Sequence, residues 1–208
     1  MIITTEQPTS PTLFLIGGFA GSGKTHFGDI LIRHLVQQKK PACLLDKDTI
    51  ERPLLEVGLS VLSGNPNDRE SELYLNTFRG PEYAGVFAGA TNNLILGVNT
   101  VITAPFLMEF GDQKWIANVE QEMGMLDVTV VWIWLRCSED LAIQRLKARA
   151  AARDVWKLNH WSDYLSFLPW GYNDYPKWAT KGIIVENDDK IIDPFDHQLP
   201  EELMLLLS

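Results

Sequence analysis

One eight-residue segment constrains the fold of this chain more than any other feature: Gly18-Phe19-Ala20-Gly21-Ser22-Gly23-Lys24-Thr25 fits the pattern G-x-x-x-x-G-K-[ST] at every fixed position. The short apolar run Leu13 to Ile16 stops at this segment and predicts a buried strand. The residues after it predict a helix, with apolar side chains at helical spacing at Phe27, Ile30, Leu31 and Leu35. A glycine-rich turn between a strand and a helix points backbone N–H groups at phosphate oxygens. The segment therefore predicts a phosphate-binding P-loop, and its context disfavours a chance glycine turn.

The P-loop residues have different expected roles. Glycines allow the backbone to approach a phosphate closely. We expect Lys24 to reach the β and γ phosphates of a nucleoside triphosphate, here ATP, and the Thr25 hydroxyl to complete the shell of a bridging Mg²⁺ ion. The residues expected to contact the nucleotide are Gly18, Ala20, Gly21, Ser22, Gly23, Lys24, Thr25 and His26.

Four further apolar runs predict the rest of a sheet. They are Ala42 to Leu45, Thr100 to Ala104, Val128 to Leu135 and Ile183 to Val185. The run Leu13 to Ile16 is followed by the predicted helix and then by the run Ala42 to Leu45. This spacing is that of a βαβ unit, in which the two strands are parallel. The near-continuous apolar character of Val128 to Leu135 predicts burial on both faces. We expect an α/β fold of the P-loop NTPase type, with a doubly wound five-stranded parallel sheet in a single domain over residues 1–208.

Charge and hydropathy exclude two classes of partner. The net charge of −9 argues against a long nucleic acid, because neutralising its phosphates takes many Lys and Arg side chains. The run Val128 to Leu135 is too short to cross a bilayer, and the first eleven residues lack the pattern of a signal peptide. We therefore expect a cytoplasmic protein with no membrane partner.

Two helical stretches, Ile50 to Leu62 and Pro81 to Leu96, are predicted within an insertion over residues 50–98. The turn-rich segment between them is Ser63 to Glu70. An insertion of this kind is expected to form a wall of the substrate site. Arg52, Arg79 and Tyr83 are its candidate substrate contacts, although residue statistics favour ordinary surface positions for them.

Two carboxylates follow the second predicted strand, in Asp46-Lys47-Asp48-Thr49. This end of a parallel strand faces the same crevice as the P-loop, so a carboxylate there can orient an acceptor hydroxyl in line with the γ phosphate. We favour Asp48 for this role, with Asp46 as the second choice or as a water-mediated contact to magnesium. The alternative is a solvated turn, or a cap for the helix that follows.

These motifs together resemble the small P-loop kinases related to zeta toxin, chloramphenicol phosphotransferase, gluconate kinase and adenylylsulfate kinase. The resemblance rests on the P-loop, on Leu45-Asp46-Lys47-Asp48-Thr49-Ile50 and on Ile102-Thr103-Ala104-Pro105-Phe106. It implies transfer of the γ phosphate of ATP to a hydroxyl group of a small molecule. By motif, Asp48 matches the proposed base of the zeta-toxin-like kinases. The third strand ends without the Walker B carboxylate, so Asp48 or Asp46 would join Thr25 at the magnesium ion.

A basic stripe completes the predicted site. Ser138 is a candidate N-cap of a helix predicted to run past Arg153, which places four cations at four-residue steps along one face: Arg145, Arg149, Arg153 and Lys157. The resemblance implies a lid over residues 138–160 whose arginines close over ATP. Arg149 and Arg153 are the favoured catalytic cations, with Arg145 and Arg149 expected to contact the nucleotide. The alternative is a solvated face partly compensated by nearby carboxylates.

Two other functions remain open from the sequence. A regulatory module would bind ATP without transferring phosphate, and a nucleoside or nucleotide kinase would differ only in its acceptor. The acceptor itself is not identified, because the variable insertion builds the acceptor pocket in such folds.

Overall fold

A five-stranded parallel sheet forms the centre of the protein. The computed structural model describes residues 10–167, 182–188 and 199–207. The strands are β1 (Thr12–Gly17), β2 (Ala42–Asp46), β3 (Asn99–Thr103), β4 (Thr129–Arg136) and β5 (Ile183–Glu186). Their order is β2-β3-β1-β4-β5, and every neighbouring pair is parallel. The predicted α/β class and five-stranded sheet are therefore confirmed.

Helices connect the strands and cover the sheet. The eight α-helices of the described residues are α1 (Lys24–Gln37), α2 (Lys47–Ser63), α3 (Arg79–Ile95), α4 (Gln113–Met125), α5 (Glu139–Arg149), α6 (Val155–Asn159), α7 (Trp161–Leu165) and α8 (Glu201–Leu207). A π-helical turn at Tyr74–Phe78 precedes α3, and short 3₁₀ turns lie at Glu109–Gly111 and Ala152–Asp154. Among the described residues, none of these helices has both the length and the hydropathy needed to span a bilayer.

Both faces of the sheet are buried. Along β1, Leu13 and Leu15 pack into one apolar cluster with α3 and α4, whereas Phe14 and Ile16 pack into a second cluster with α1 and α8. Successive side chains of a strand point to opposite faces, so a strand covered on both sides needs apolar residues at every position. This explains the unbroken apolar run of β1 and the doubly wound arrangement.

Helix α4 was not predicted from the sequence. Asp112 caps it by accepting hydrogen bonds from the backbone N–H groups of Lys114 (2.9 Å) and Trp115 (3.3 Å). Its buried residues, Ile116, Val119 and Met123, are three and four residues apart and face the sheet. An N-cap followed by this spacing is a helix signal, and α4 is the crossover between β3 and β4 that the parallel sheet requires.

Both helices predicted within residues 50–98 form, and each begins earlier than predicted. Helix α2 begins at Lys47 instead of residue 50, because the Asp46 side chain accepts a hydrogen bond from Thr49 N (2.7 Å) and caps the helix. Helix α2 closely contacts the π-helical turn before α3 at Gly58, where a Cβ atom would lie 2.8 Å from the Phe78 ring. The capped start places Asp48 in the first turn of α2.

The predicted long helix after Ser138 is wrong. Helix α5 ends at Arg149, and the chain turns at Ala150, which has a left-handed φ of 51°. The turn brings the buried carboxylate of Asp154 back to the Arg149 guanidinium, from which it accepts two hydrogen bonds of 2.7 and 2.8 Å. Alanines at residues 150–152 carry no helix-breaking signal, so the sequence does not reveal this turn. The four cations therefore do not lie along one helix face.

The aromatic cluster beneath α4 predicts a large stability effect. Phe110 is 1% exposed, and its ring stacks on that of Phe106 with centroids 4.8 Å apart. We expect Phe110→Ala to lower the free energy of unfolding by about 3–5 kcal/mol, because the truncation leaves a cavity in a packed core. Urea denaturation measures this change. The exposed control Met125→Ala should stay within about 0.5 kcal/mol of the wild type, and equal effects of the two variants would contradict the packing described.

Candidate active site

The P-loop connects β1 to α1 and is shaped by its glycines. Gly21 and Gly23 have φ values of 86° and 93°, which side chains with a Cβ rarely adopt. A Cβ on Gly23 would lie 2.3 Å from the Asn187 Nδ2 atom, which donates a hydrogen bond to the Ser22 carbonyl oxygen (2.7 Å). The residue after β5 therefore packs against the loop and holds its curvature.

Three other contacts fix the P-loop in place. The Gly18 N–H group donates to the Pro105 carbonyl (3.1 Å), and Arg145 Nη1 donates to the Gly21 carbonyl (3.3 Å). The Ala20 N–H group donates to the hydroxyl of Tyr164 (2.7 Å), a buried side chain of α7. The loop is thus held by residues from four separate segments of the chain, which keeps its backbone in one conformation.

Lys24 lies folded against the loop. Its Nζ atom donates hydrogen bonds to the carbonyl oxygens of Gly18 (2.7 Å) and Phe19 (2.8 Å). Burial lowers the pKa of Lys24 to about 8, although Asp48 and Asp46 favour its charged form. The ammonium group is poorly solvated here, so it would be stabilised by an anion bound in the loop.

A carboxylate between two threonines lies beside the P-loop. Asp46 Oδ2 accepts hydrogen bonds from the hydroxyls of Thr25 (2.9 Å) and Thr103 (2.7 Å). Thr103 ends β3, at the position where the Walker B carboxylate is absent from the sequence. Because Asp46 also caps α2 through Thr49 N, the two interpretations of this residue, helix cap and metal contact, are compatible.

The oxygen atoms at this point suit a magnesium ion. Mg²⁺ is usually bound through one or two protein oxygens, with waters and phosphate oxygens completing its octahedron. Thr25 and Asp46 provide a hydroxyl and a carboxylate oxygen 2.9 Å apart. The described residues contain no cluster of three or more His, Cys, Asp or Glu side chains that could enclose a metal on their own. A site completed by phosphate oxygens fits this donor set.

Asp48 forms two ion pairs at the floor of the same crevice. Lys47 Nζ lies 3.3 Å from Oδ1, and Arg153 Nη1 lies 3.4 Å from Oδ2. Burial alone would raise the pKa of Asp48, but Lys47, Arg153 and Lys24 together hold it below its usual range. The carboxylate is therefore ionised at neutral pH, and its side chain is still 43% exposed.

These groups line a single cleft of about 510 Å³ at the carboxyl ends of the strands. The predicted site residues that it brings together are Ala20, Gly21, Gly23, Lys24, Thr25, His26, Asp46, Asp48, Arg52, Arg79, Tyr83, Arg145, Arg149 and Arg153. Gly18 and Ser22 do not line it, and Ser22 is fully buried behind the loop. The four cations of the basic stripe all reach the cleft even though the helix is broken.

Residues 13–168 match the AAA domain family. The chain belongs to this family. No curated protein matches the sequence.

Several solved structures share the fold of this AAA domain. They include the APS kinase CysC of Mycobacterium tuberculosis in complex with AMPPNP and APS (14% identity, 88% of this chain and 92% of that chain covered, TM-score 0.57). Kti12 of Chaetomium thermophilum in complex with ADP-AlF3 is 13% identical, with 86% and 90% covered and a TM-score of 0.57. A gluconokinase of Sinorhizobium meliloti is 13% identical, with 88% and 86% covered and a TM-score of 0.50. At these identities the likeness shows the fold alone.

Three of the four cations of the AAA domain's basic stripe pair with carboxylates in the structure. Arg149 pairs with the buried Asp154, as described for the end of α5. Arg153 pairs with Asp48, and Lys157 lies 2.6 Å from Glu70 in the loop after α2. Separate ion pairs therefore take the place of the row of like charges that one continuous helix face would present. For Arg149, the structure agrees with the alternative interpretation, in which a nearby carboxylate, here that of Asp154, compensates the positive charge.

The predicted substrate contacts differ in their surroundings. Arg79 forms a two-pronged ion pair with Glu109, with Nη2 and Oε2 2.7 Å apart, and its guanidinium lies over the Tyr83 ring at 4.8 Å. The Tyr83 hydroxyl accepts a hydrogen bond from Phe106 N (3.2 Å). Arg52 is exposed in the second turn of α2 and forms no ion pair with any described residue. Arg79 and Tyr83 thus build the wall, whereas Arg52 is available to a ligand.

A buried polar network beneath Asp48 was not predicted from the sequence. Lys47, 3% exposed, lies 3.1 Å from Glu82, and Tyr74 donates a hydrogen bond of 2.7 Å to the same carboxylate. Burial and the adjacent Glu82 raise the pKa of Tyr74 well above its usual range, so its hydroxyl remains protonated. These residues come from three separate elements, and no local pattern indicates their contact. The network holds Lys47 beside Asp48.

The lowered pKa of Lys24 predicts a pH dependence of nucleotide binding. Phosphate oxygens favour the charged lysine, so above about pH 8 the free protein must take up a proton to bind, and affinity falls as the pH rises. Calorimetric titration with Mg²⁺ and ADP at about pH 8.5, in two buffers of different ionisation enthalpy, measures this uptake. The Lys24→Arg variant, which stays charged, should bind without it. Binding to the wild type without proton uptake would contradict the shifted pKa.

Proposed function

We propose that this protein is a kinase that transfers the γ phosphate of ATP to a hydroxyl group of a small molecule. The observation that carries the proposal is the meeting, in one cleft, of a P-loop lysine, a threonine–carboxylate pair and an ionised aspartate. These are the parts that phosphoryl transfer requires, since its catalysis consists mainly of positioning and charge stabilisation. The similar folds solved with AMPPNP and with ADP-AlF3 support the same proposal.

On the nucleotide side, the P-loop amides and Lys24 would bind the phosphates. The loop conformation is held by Tyr164, Asn187 and Arg145, so little reorganisation is needed on binding. Thr25 and Asp46 would hold Mg²⁺, which neutralises developing charge on the β and γ phosphates when it is bound. We assign the second protein contact of the ion to Asp46 in preference to Asp48, because Asp46 is the carboxylate hydrogen-bonded to Thr25.

On the acceptor side, Asp48 would receive the hydrogen bond of the acceptor hydroxyl and hold its oxygen in line with the γ phosphate. A strongly acidic carboxylate suits this role, because the loose transition state needs orientation more than early proton removal. Arg153, now paired with Asp48, would turn to the transferring phosphoryl group, and Arg149 and Arg145 would add positive charge on the nucleotide side. Closure of residues 138–160 over the cleft would exclude water.

Two substitutions test the catalytic roles. Lys24→Ala is expected to abolish turnover, and Asp48→Asn is expected to lower it by roughly 10²–10⁴-fold while leaving ATP affinity within about twofold. The measurement is acceptor-dependent ADP release with panels of sugars, antibiotics and nucleosides.

The matched control for these substitutions is Asp29→Asn, an exposed change on α1 outside the cleft, which should not affect the rate. Unchanged transfer in Asp48→Asn would remove this residue from the mechanism. Nucleotide binding without acceptor-dependent turnover on any panel would instead favour the regulatory module.

A third substitution tests the assignment of the metal contact. Asp46→Asn keeps the helix cap, because Asn caps helices about as well as Asp, but it removes the charge beside Thr25. In Asp46→Asn, we expect the magnesium concentration for half-maximal activity to rise by about 10–100-fold. In Asp48→Asn, this concentration should change little, although the rate is lower. The opposite ranking of the two variants would assign the ion to Asp48.

A further inference from the structure

The cleft concentrates the positive charge of an acidic protein. Nine of the chain's 18 Lys and Arg residues line it, but only four of its 27 Asp and Glu residues do. The nine are Lys24, Lys47, Arg52, Arg69, Arg79, Arg145, Arg149, Arg153 and Lys157. Clustering of one sign of charge within a cleft raises the local concentration of anions. The proposed ATP explains a part of this charge, and the positions of the cations show which part.

Five of the nine cations are compensated by carboxylates. The pairs are Lys47 with Glu82, Arg79 with Glu109, Arg149 with Asp154, Arg153 with Asp48 and Lys157 with Glu70. Two more, Lys24 and Arg145, contact P-loop carbonyls and so belong to the phosphate side. Arg52 and Arg69 remain, and both belong to the insertion, on the acceptor side of the cleft.

Arg52 and Asp48 share a face of α2. They are four residues apart on the helix, which places one directly above the other. The Arg52 side chain is exposed, and it makes no hydrogen bond or ion pair with any residue that the structure describes. It therefore lies one helical turn from the carboxylate proposed to orient the acceptor hydroxyl.

Arg69 is held in position by neutral groups. Its Nη1 atom donates to the carbonyl oxygens of Pro66 (2.9 Å) and Asp68 (3.0 Å), and its guanidinium lies 5.9 Å from the centre of the Tyr74 ring. The Asp68 carboxylate interacts electrostatically with Arg69, but it forms no direct ion pair with it and accepts hydrogen bonds from Glu70 N and Ser71 N. A guanidinium has five N–H donors in a fixed fork, so further donors of Arg69 are oriented without a carboxylate partner.

We propose, on the basis of the proposed function, that the phosphate acceptor carries an anionic group, a phosphate, sulfate or carboxylate, which Arg52 and Arg69 bind while Asp48 meets its hydroxyl. Arginine recognises each of these groups through paired, charge-assisted hydrogen bonds. Apolar and aromatic side chains, those of Tyr74, Leu75, Leu107 and Met108, also line the cleft. The acceptor is therefore an anion with an apolar or ring-shaped body.

Inorganic anions test the site without knowledge of the acceptor. The wild type is first saturated with Mg²⁺ and AMPPNP, which occupies the P-loop, and is then titrated with sodium sulfate at constant ionic strength while the thermal unfolding midpoint is followed. We expect a saturable rise in the midpoint. The apparent sulfate affinity should fall at least about tenfold in Arg52→Gln and in Arg69→Gln, since each loses a charge-assisted hydrogen bond. Arg52→Lys and Arg69→Lys, which keep the charge, should retain part of it.

The matched control is Arg33→Gln, which makes the same charge change on an exposed position of α1 outside the cleft. It should respond to sulfate as the wild type does, and so corrects for the general stabilisation that sulfate gives to folded proteins. Equal sulfate responses in Arg33→Gln, Arg52→Gln and Arg69→Gln would overturn the proposal. A wild type with no saturable response would overturn it as well.

Two further arms separate the outcomes. Sodium phosphate and sodium acetate, titrated in the same way, distinguish a tetrahedral from a planar anion as the preferred group. Repeating the sulfate titration in Lys24→Ala without nucleotide separates this site from the P-loop, because a response that still depends on Arg52 and Arg69 locates it on the insertion. A loss of AMPPNP binding by the wild type would contradict the proposed function, whereas the dependence of sulfate binding on the two arginines would still be measured.

Discussion

The Asp46 carboxylate is the group on which the geometry of the cleft depends. Its oxygens accept hydrogen bonds from Thr25 at the start of α1, from Thr103 at the end of β3 and from Thr49 N in the first turn of α2. One side chain therefore ties the P-loop helix, the neighbouring strand and the insertion to the end of β2. Charge-assisted hydrogen bonds of this kind are stronger than neutral ones, and they set the distance between the phosphate and acceptor sides.

Ion pairs also organise the cleft. The protein carries a net charge of −9, yet nine of its cations face the cleft. Most of these cations are paired with carboxylates, which neutralise the cleft in the absence of a ligand. An anionic ligand would therefore replace a carboxylate as the partner of a cation. The contact between Arg153 and Asp48 is the clearest case, because both groups are proposed to meet the reacting centre. Substrate binding would separate them and expose the carboxylate to the acceptor.

The sequence predicts those parts of the protein that depend on local patterns. All five strands and the P-loop were found because buried strands are short apolar runs and the loop has fixed residues at fixed spacing. The turn at Ala150 was missed because its cause, the buried Asp154, acts through a contact with Arg149 that alanines do not signal. The network of Lys47, Glu82 and Tyr74 was missed for the same reason, since its members meet only through tertiary packing. From the sequence, Asp46 was only the second choice beside Asp48. The preference for Asp46 as the proposed magnesium contact required its hydrogen bond to Thr25.

In the proposed function, backbone amides of the P-loop bind the phosphates of a nucleotide beside Asp46. Hydrogen exchange of the backbone amides, compared with and without Mg²⁺ and AMPPNP, tests it most directly. We predict that exchange slows at residues 21–26 and at the start of α2, with little change on α8, none of whose residues lines the cleft. Unaltered exchange of the P-loop amides at saturating nucleotide would contradict the account.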